Sequence, residues 1–267
     1  SKNNLSNAIA LFSTGMAIAA IVGPAVAGLI YSSFGPEFVF ITAAFIFTTS
    51  IILTLNIKAP DTSNNIRNRP FINEIKSGYS YIFKNNNIRV LFLIGAIFTL
   101  LAFPIQSLLP VLIIDVYGKT SAELGLLASM IGIGAVIGNI IVASISKHNR
   151  AIFLLILIFT AGLCMLGISN IQYFSAGLIL LFIHGIASGS EYSIIQILVM
   201  DQIDEEYRGR TMSFLMLIWG LLPLGVFPAG IGVDHWGPQL VISILGIGLL
   251  ILGTITITTQ KWIRTIE

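Results

Sequence analysis

Eight stretches of this chain run for about 20 residues or more with almost no charge. They cover approximately 8–33, 38–57, 88–114, 121–146, 150–168, 173–199, 210–234 and 238–259. Some 20 mostly apolar residues, wound as a helix, cross roughly 30 Å of hydrocarbon. No water inside that layer can satisfy a backbone N–H or C=O, so a helix is the only open-ended structure that spans it. The expected fold is therefore an all-α membrane protein with eight transmembrane helices. Composition agrees: 10% of the residues are charged, against about 25% in soluble domains. A water-facing enzyme and a nucleic-acid-binding module are both excluded on that ground. The lipid bilayer is the expected solvent. The single cysteine, Cys164, lies in an apolar run and suggests neither a disulfide within the chain nor a metal cluster. The first residues are polar and no small-residue cleavage site follows the first apolar run, so no signal peptide is expected.

Orientation follows from the basic residues, which gather on the cytoplasmic side of membrane proteins. If all eight runs span, Lys2, Lys58, Arg67, Arg69, Lys76, Lys84, Arg89, Lys147, Arg150, Arg208, Arg210, Lys261 and Arg264 share one side. Only Lys119 falls on the other, so thirteen of fourteen basic residues agree. Both ends of the chain are expected in the cytoplasm of a bacterial inner membrane. The long connection 58–87 is expected there too. Within it Phe71, Ile72, Ile75, Tyr79, Ile82 and Phe83 recur at helical spacing, which predicts an amphipathic surface helix over 71–84.

One stretch is written twice. At an offset of 202 residues, Gly23, Ala27 and Gly28 meet Gly225, Ala229 and Gly230. Gly35, Pro36 and Val39 then meet Gly237, Pro238 and Val241. Gly and Pro have special backbone behaviour, so such matches point to a repeated shape. A long-period repeat in an apolar chain marks transporters built from two similar halves. On this pattern residues 1–57 hold the last two helices of a first half. Residues 58–87 link the halves, 88–260 form a six-helix second half, and 261–267 are a tail. The same pattern places four further spans upstream, on the order of 115–130 residues, in a twelve-helix whole.

These motifs resemble the major facilitator superfamily. Residues 5–28 look like its fifth span, and Gly23-Pro24-Ala25-Val26-Ala27-Gly28 is similar to its exporter motif, with Ala27-Gly28 where Gly-Gly is usual. Leu108-Leu109-Pro110-Val111, and Leu124-Gly125 through Gly132, Gly134 and Gly138, look like spans seven and eight. Tyr207-Arg208-Gly209-Arg210 resembles the Arg-Gly-Arg element before span eleven. The likeness is strongest to the branch of the enterobactin exporter and macrolide efflux proteins. Ser144-Ile145-Ser146-Lys147-His148-Asn149-Arg150 departs from the Gly-, Asp- and Arg-containing loop usual after span eight, which implies a weaker cytoplasmic latch. The resemblance implies a monomeric secondary transporter that takes a small-molecule substrate and protons, with no cofactor.

Several residues could carry that chemistry. Glu191 lies inside span 173–199, roughly 12 Å from its cytoplasmic end at 1.5 Å per residue. An unpaired carboxylate at that depth is costly, so it is a functional candidate by default. It could carry the coupling proton or sit in a hydrogen-bond network between helices. His184 and Ser188 precede it at helical spacing. His184 is read as packing or as a second coupling group, and Ser188 as a cavity residue. Gln106, between Pro104 and Pro110, suits an interrupted helix lining a cavity. Asn139 follows a stripe of small residues and is a cavity candidate as well as a packing residue. Gly23, Pro24 and Gly28 suit a kinked, tightly packed helix. Arg208, Gly209 and Arg210, beside Asp201, could form a cytoplasmic gate or simply a solvated helix start.

The leading reading is a secondary exporter coupled to protons, with a metabolite importer of the same fold as the alternative. No Gly-rich loop ending in Gly-Lys-Ser/Thr is present, so nothing in the sequence suggests ATP hydrolysis. An intramembrane hydrolase built on His184 and Ser188, and a non-transporting scaffold, are the readings from other classes. The topology makes the first prediction: a cysteine placed at Lys76 reacts with a membrane-impermeant maleimide only from the cytoplasmic side. Labelling from outside would contradict the orientation.

Overall fold

The computed structural model describes the backbone of residues 2–55, 85–203 and 208–259 and, apart from 2–14, Ala17, His148 and 208–210, their side chains. Linker residues 58–84, with the expected amphipathic helix, and the tail 261–267 lie outside the described residues. The chain is helical throughout the described part. Helix α1 runs Lys2–Phe34 and α2 Pro36–Leu55. Helix α3, Asn86–Ala102, α4, Pro104–Val111, and a π turn at Leu112–Val116 form one span. Then come α5 (Ser121–Ser144), α6 (Arg150–Asn170) and α7 (Phe174–Met200). Helices α8 (Arg208–Gly220) and α9 (Leu222–Trp236) make another broken span, and α10 is Pro238–Thr259. Seven of these stretches are long and apolar enough to cross a membrane, and Ile18–Phe34 within α1 is a shorter apolar helix.

Local chemistry sets the ends. Asn85 caps α3, its Oδ1 accepting from the backbone N–H of Asn87 at 3.1 Å and of Ile88 at 3.4 Å. Thr120 and Glu123 form a capping box at the start of α5. The doubled motif folds alike at its turn. Gly35 and Gly237 have φ of +88° and +78°, a region that only glycine enters freely. Each donates its N–H four residues back, to Tyr31 O at 3.0 Å and to Val233 O at 2.9 Å. Each is followed by a proline that starts the next helix, where a missing N–H costs nothing. The packing of the two copies differs. A Cβ on Gly28 would stand 2.8 Å from Ser121 O, whereas nothing approaches Gly230. Gly225 presses on α3, whereas nothing approaches Gly23.

Helix α5 is the central contact, packed against α7 on one side and α1 on the other. Its glycines bring backbones together. A Cβ on Gly189 of α7 would lie 2.6 Å from Ala135 Cα, and one on Gly125 would lie 2.6 Å from Pro24 O. Gly134 and Gly138 of α5 meet the backbone around Phe182 and Ile186. A second seam joins α6 and α10, where Gly162 and Gly246 each face the other's carbonyl. Small residues suit such contacts because lipid gives helices no hydrophobic reason to associate, and packing must supply it. The main buried cluster comes from α3 to α10, around Phe98, Ile105, Leu154 and Ile194. Helix α2 buries no residue.

Prolines meet glycines across these contacts. Pro24 has no N–H to offer Ala20 O one turn back, and Gly132 of α5 is pressed on that oxygen. Ser129 Oγ donates to the next carbonyl, Ile21 O, at 2.7 Å. Pro104 likewise cannot donate to Leu100 O, and Gly225 of α9 is pressed there. The backbone contacts predict the cost of filling them. Gly189→Val should destabilise the detergent-solubilised protein by about 3 kcal/mol or more, the upper end for overpacking. Gly230→Ala, in open space, should change stability by less than about 1 kcal/mol. Equal thermal midpoints for the two variants would contradict the seam.

Candidate functional site

A cavity of about 540 Å³ opens where the α1–α5 contact and the break at Pro104 leave space. Ala20 and Pro24 of α1 form one wall. Gln106 and Leu109 of α4, with Phe103 at the helix break, form another. Helix α5 contributes Ala128 through Asn139, α7 contributes Ser188, Tyr192 and Ser193, and Trp219 comes from the end of α8. A second cavity of about 650 Å³ shares Pro24, Gln106, Leu109 and Ala128 and runs towards Lys119 and Thr120.

The polar groups of the first cavity divide into engaged and free. Asn139 Nδ2 donates to Ala135 O at 2.9 Å, and its Oδ1 accepts from Ser193 Oγ. That pair ties α5 to α7 at the cavity wall. Ser188 Oγ donates to Gly185 O at 3.4 Å. Gln106 is exposed to both cavities. The helix break places it there, because Pro104 starts α4 afresh and Pro110 removes a second donor.

Three aromatic rings close one side. Phe103 and Trp219 pack edge to face with centroids 4.8 Å apart, and Tyr192 meets Trp219 at 5.4 Å. These rings and Ser193 belong to no motif in the sequence. Their only sequence signal is position. Phe103 stands directly before Pro104, and Trp219 is the second-last residue of α8, before the break at Leu221.

The three polar residues singled out on α7 point to different neighbours. Ser188 lines the cavity. Glu191 is 1% exposed and is not among the cavity's lining residues. It faces α3, where a Cβ on Gly95 would lie 3.7 Å from Glu191 Oε1 and in contact with Ile195 and Ile218. That oxygen has no hydrogen-bond partner among the described residues. The space beside Gly189 and Ser190 is filled by α5. His184 is fully buried, its ring nitrogens approaching the backbone of Ala102 and Ala161 without ordinary hydrogen-bond geometry. Ser188 and His184 are therefore not paired, and a Ser–His nucleophile is not assembled.

At the other end of α7, Asp201 accepts from Arg150 Nη1 at 2.9 Å, with Lys147 Nζ 3.9 Å away. The partners thus come from the departing loop 144–150, which the shared basic side of the chain had placed nearby. The side chains of Arg208 and Arg210 lie outside the described residues, and Gly209 lies in α8. No group of His, Cys, Asp and Glu suited to a metal occurs among the described residues.

Comparison with known proteins agrees with this architecture. The profile of the Major Facilitator Superfamily matches residues 1–224. Macrolide efflux protein A of Streptococcus pyogenes is 24% identical over 234 residues, covering 82% of this chain and 57% of the relative. The Staphyloferrin A transporter of Staphylococcus aureus (strain NCTC 8325 / PS 47) is 24% identical over 257 residues, 93% of this chain and 62% of that one. Multidrug efflux pump Tap of Mycolicibacterium fortuitum is 26% identical over 245 residues, 89% of this chain and 59% of that one. The chain thus spans less than two thirds of the length of these relatives. It is a multi-pass membrane protein, and it belongs to the Major Facilitator Superfamily.

Proposed function

We propose that this chain forms part of a secondary transporter that exports a small molecule across a bacterial plasma membrane by alternating access, coupled to protons. Residues 1–57 belong to one half and 88–260 to the other, joined by 58–87, with both ends of this chain in the cytoplasm and 261–267 as a cytoplasmic tail. The protein works as a monomer. The α1–α5 contact is the seam between halves, where Gly28, Pro24 and Gly125 let the two backbones touch. The efflux proteins among the relatives support export. The cavity at that seam, with Gln106, Asn139 and Ser188 in its walls, is the substrate site.

One observation carries the coupling: Glu191 is buried in a span with an oxygen that no group among the described residues satisfies. A charge without a partner there costs several kcal/mol, so its protonation and the packing around it are linked. Glu191 does not line the cavity, so it acts through the contact of α7 with α3 and α8 and not by touching substrate. Movement at that contact would expose the carboxyl to water in one state and bury it in the other. His184, about two turns earlier on the same helix, is a second group whose charge state would follow the packing. Asp201 with Arg150 braces the cytoplasmic ends of α6 and α7, and Arg208, Gly209 and Arg210 are gate candidates from the sequence alone.

Glu191→Gln in the full-length protein tests this. Folding and substrate binding should survive, because the amide keeps the shape. Uphill export driven by a pH gradient in proteoliposomes should fall by orders of magnitude, while exchange of substrate across the membrane persists. Undiminished uphill export would remove Glu191 from the mechanism.

A further inference from the structure

We propose that Gly95 is a positioning residue for Glu191. By lacking a side chain it leaves Glu191 Oε1 in an enclosed space between α3, α7 and α8 without a hydrogen-bond donor, so the carboxyl is held as the neutral acid while those helices are packed together. The proposal rests on the coupling reading for its use in transport.

Gly95 differs from the glycines of α5. Glycine inside a helix is less favourable than alanine, so its presence there has a physical reason. On α5 that reason is backbone approach: a Cβ at Gly125, Gly132, Gly134 or Gly138 would strike main-chain atoms of α1 or α7. At Gly95 the three nearest neighbours of a Cβ would be Ile195 Cδ1 at 3.0 Å, Ile218 Cδ1 at 3.2 Å and Glu191 Oε1 at 3.7 Å. All three are side-chain ends. This glycine keeps room for side chains and does not serve to bring backbones together.

The surroundings explain why that room matters. Ile195 and Ile218 are buried and apolar. Arg89, six residues towards the cytoplasm on α3, donates to Asn86 Oδ1 at 2.6 Å. Residues 211–220 of α8 include no ionisable side chain. On α7, His184 stands about two turns away, beside Ala102 and Ala161, and Asp201 is held by Arg150. Ser190 faces Gly138 of α5, and Tyr192 packs on Trp219. Oε1 therefore meets no cation and no donor among the described residues. The helices of this chain already enclose it, so its setting is complete without any further span. A carboxyl deprived of water and of partners keeps its proton, because the bare charge costs far more.

Proton release then waits for packing. Water or a donor beside Oε1 permits ionisation, and neither enters until α3, α7 and α8 part. A hydroxyl at position 95 would remove that condition. Serine Oγ, one bond beyond the Cβ that stands 3.7 Å from Oε1, comes within the ~2.5–3.0 Å of an O–H···O bond. Alanine adds the same Cβ and no donor, and the isoleucine tips that it meets can turn aside.

Infrared spectra of the full-length protein in proteoliposomes at neutral pH test this. The parent should show a carboxylic C=O band that Glu191→Gln lacks, and in D2O that band should shift slowly, as for a group out of reach of water. Gly95→Ala should keep the band. Gly95→Ser should lower its frequency or abolish it, and uphill export should fall about tenfold. Export by Gly95→Ala should stay within about threefold of the parent. Thermal midpoints establish folding, and Gly95→Cys, a weaker donor of similar shape, replaces a Gly95→Ser that does not fold. The proposal is overturned if the parent lacks the band, if the band exchanges as fast as surface carboxyls do, or if folded Ser and Ala variants give the same band. It is overturned too if Gly95→Ser moves the band and leaves uphill export undiminished. The expected bands with undiminished uphill export by Glu191→Gln would sink the coupling reading and leave the setting of the carboxyl as assigned. A missing band with export abolished by Glu191→Gln would do the reverse.

Discussion

The structure depends on backbone-to-backbone contact along α5. In lipid, two apolar helices gain little by touching through large side chains, since acyl chains solvate those side chains equally well. Close approach changes the balance because it brings many atoms into van der Waals range at once. Gly125 and Gly132 allow it on the α1 side, and Gly134 and Gly138 on the α7 side. The hydroxyl of Ser129 adds a hydrogen bond to Ile21 O at 2.7 Å in a setting where water does not compete. Because both faces of α5 are committed, the third face is the one that can line a cavity. Ala128, Ala135 and Asn139 stand there.

Helix breaks then give the cavity its shape. A proline removes one donor and leaves a carbonyl one turn back without its usual partner. At Pro24 and Pro104 a glycine of the neighbouring helix closes on that oxygen, so the break and the contact occur at one place. A Cα–H of glycine facing a carbonyl is a weak attraction, second in importance to the space it saves. The consequence for function is positional. The break after Phe103 turns Gln106 outward and leaves Phe103 free to meet Trp219, whose own helix ends at the break before Leu222.

Helix α7 divides its polar residues among three environments. Ser188 reaches the cavity, Glu191 faces the α3 contact and His184 is enclosed between α3 and α6. On the coupling proposed above, substrate and proton would meet different sides of one helix. Coupling in such an arrangement is a matter of packing. A ligand that shifts α7 against α5 also alters the space around an unsatisfied carboxyl oxygen. No direct contact between the two ligands is needed, only a helix whose two sides cannot move independently.

Much of this was legible in the sequence because the physics behind it is local or one-dimensional. Apolar run length alone determined the spans, since bilayer thickness and helix rise are fixed. The pairing of Gly35 with Gly237 determined two turns of one shape, since a positive φ and a following proline are properties of the residues themselves. Pro104 and Pro110 marked the broken helix that carries Gln106. Tertiary structure decided what depends on the rotation of one helix against another. Gly28 is pressed against α5 while its repeat partner Gly230 is open, although each follows an alanine at the matched position of the repeat. Glu191 lies at helical spacing from Ser188, yet only the helices placed around α7 turn one towards Gly95 and the other towards the cavity. The partner of Asp201 came from a loop some fifty residues away in sequence because ion pairs form between chain segments that folding brings together. The aromatic wall was invisible for the same reason: Phe103, Tyr192 and Trp219 are apolar residues among many, and only packing makes three of them neighbours.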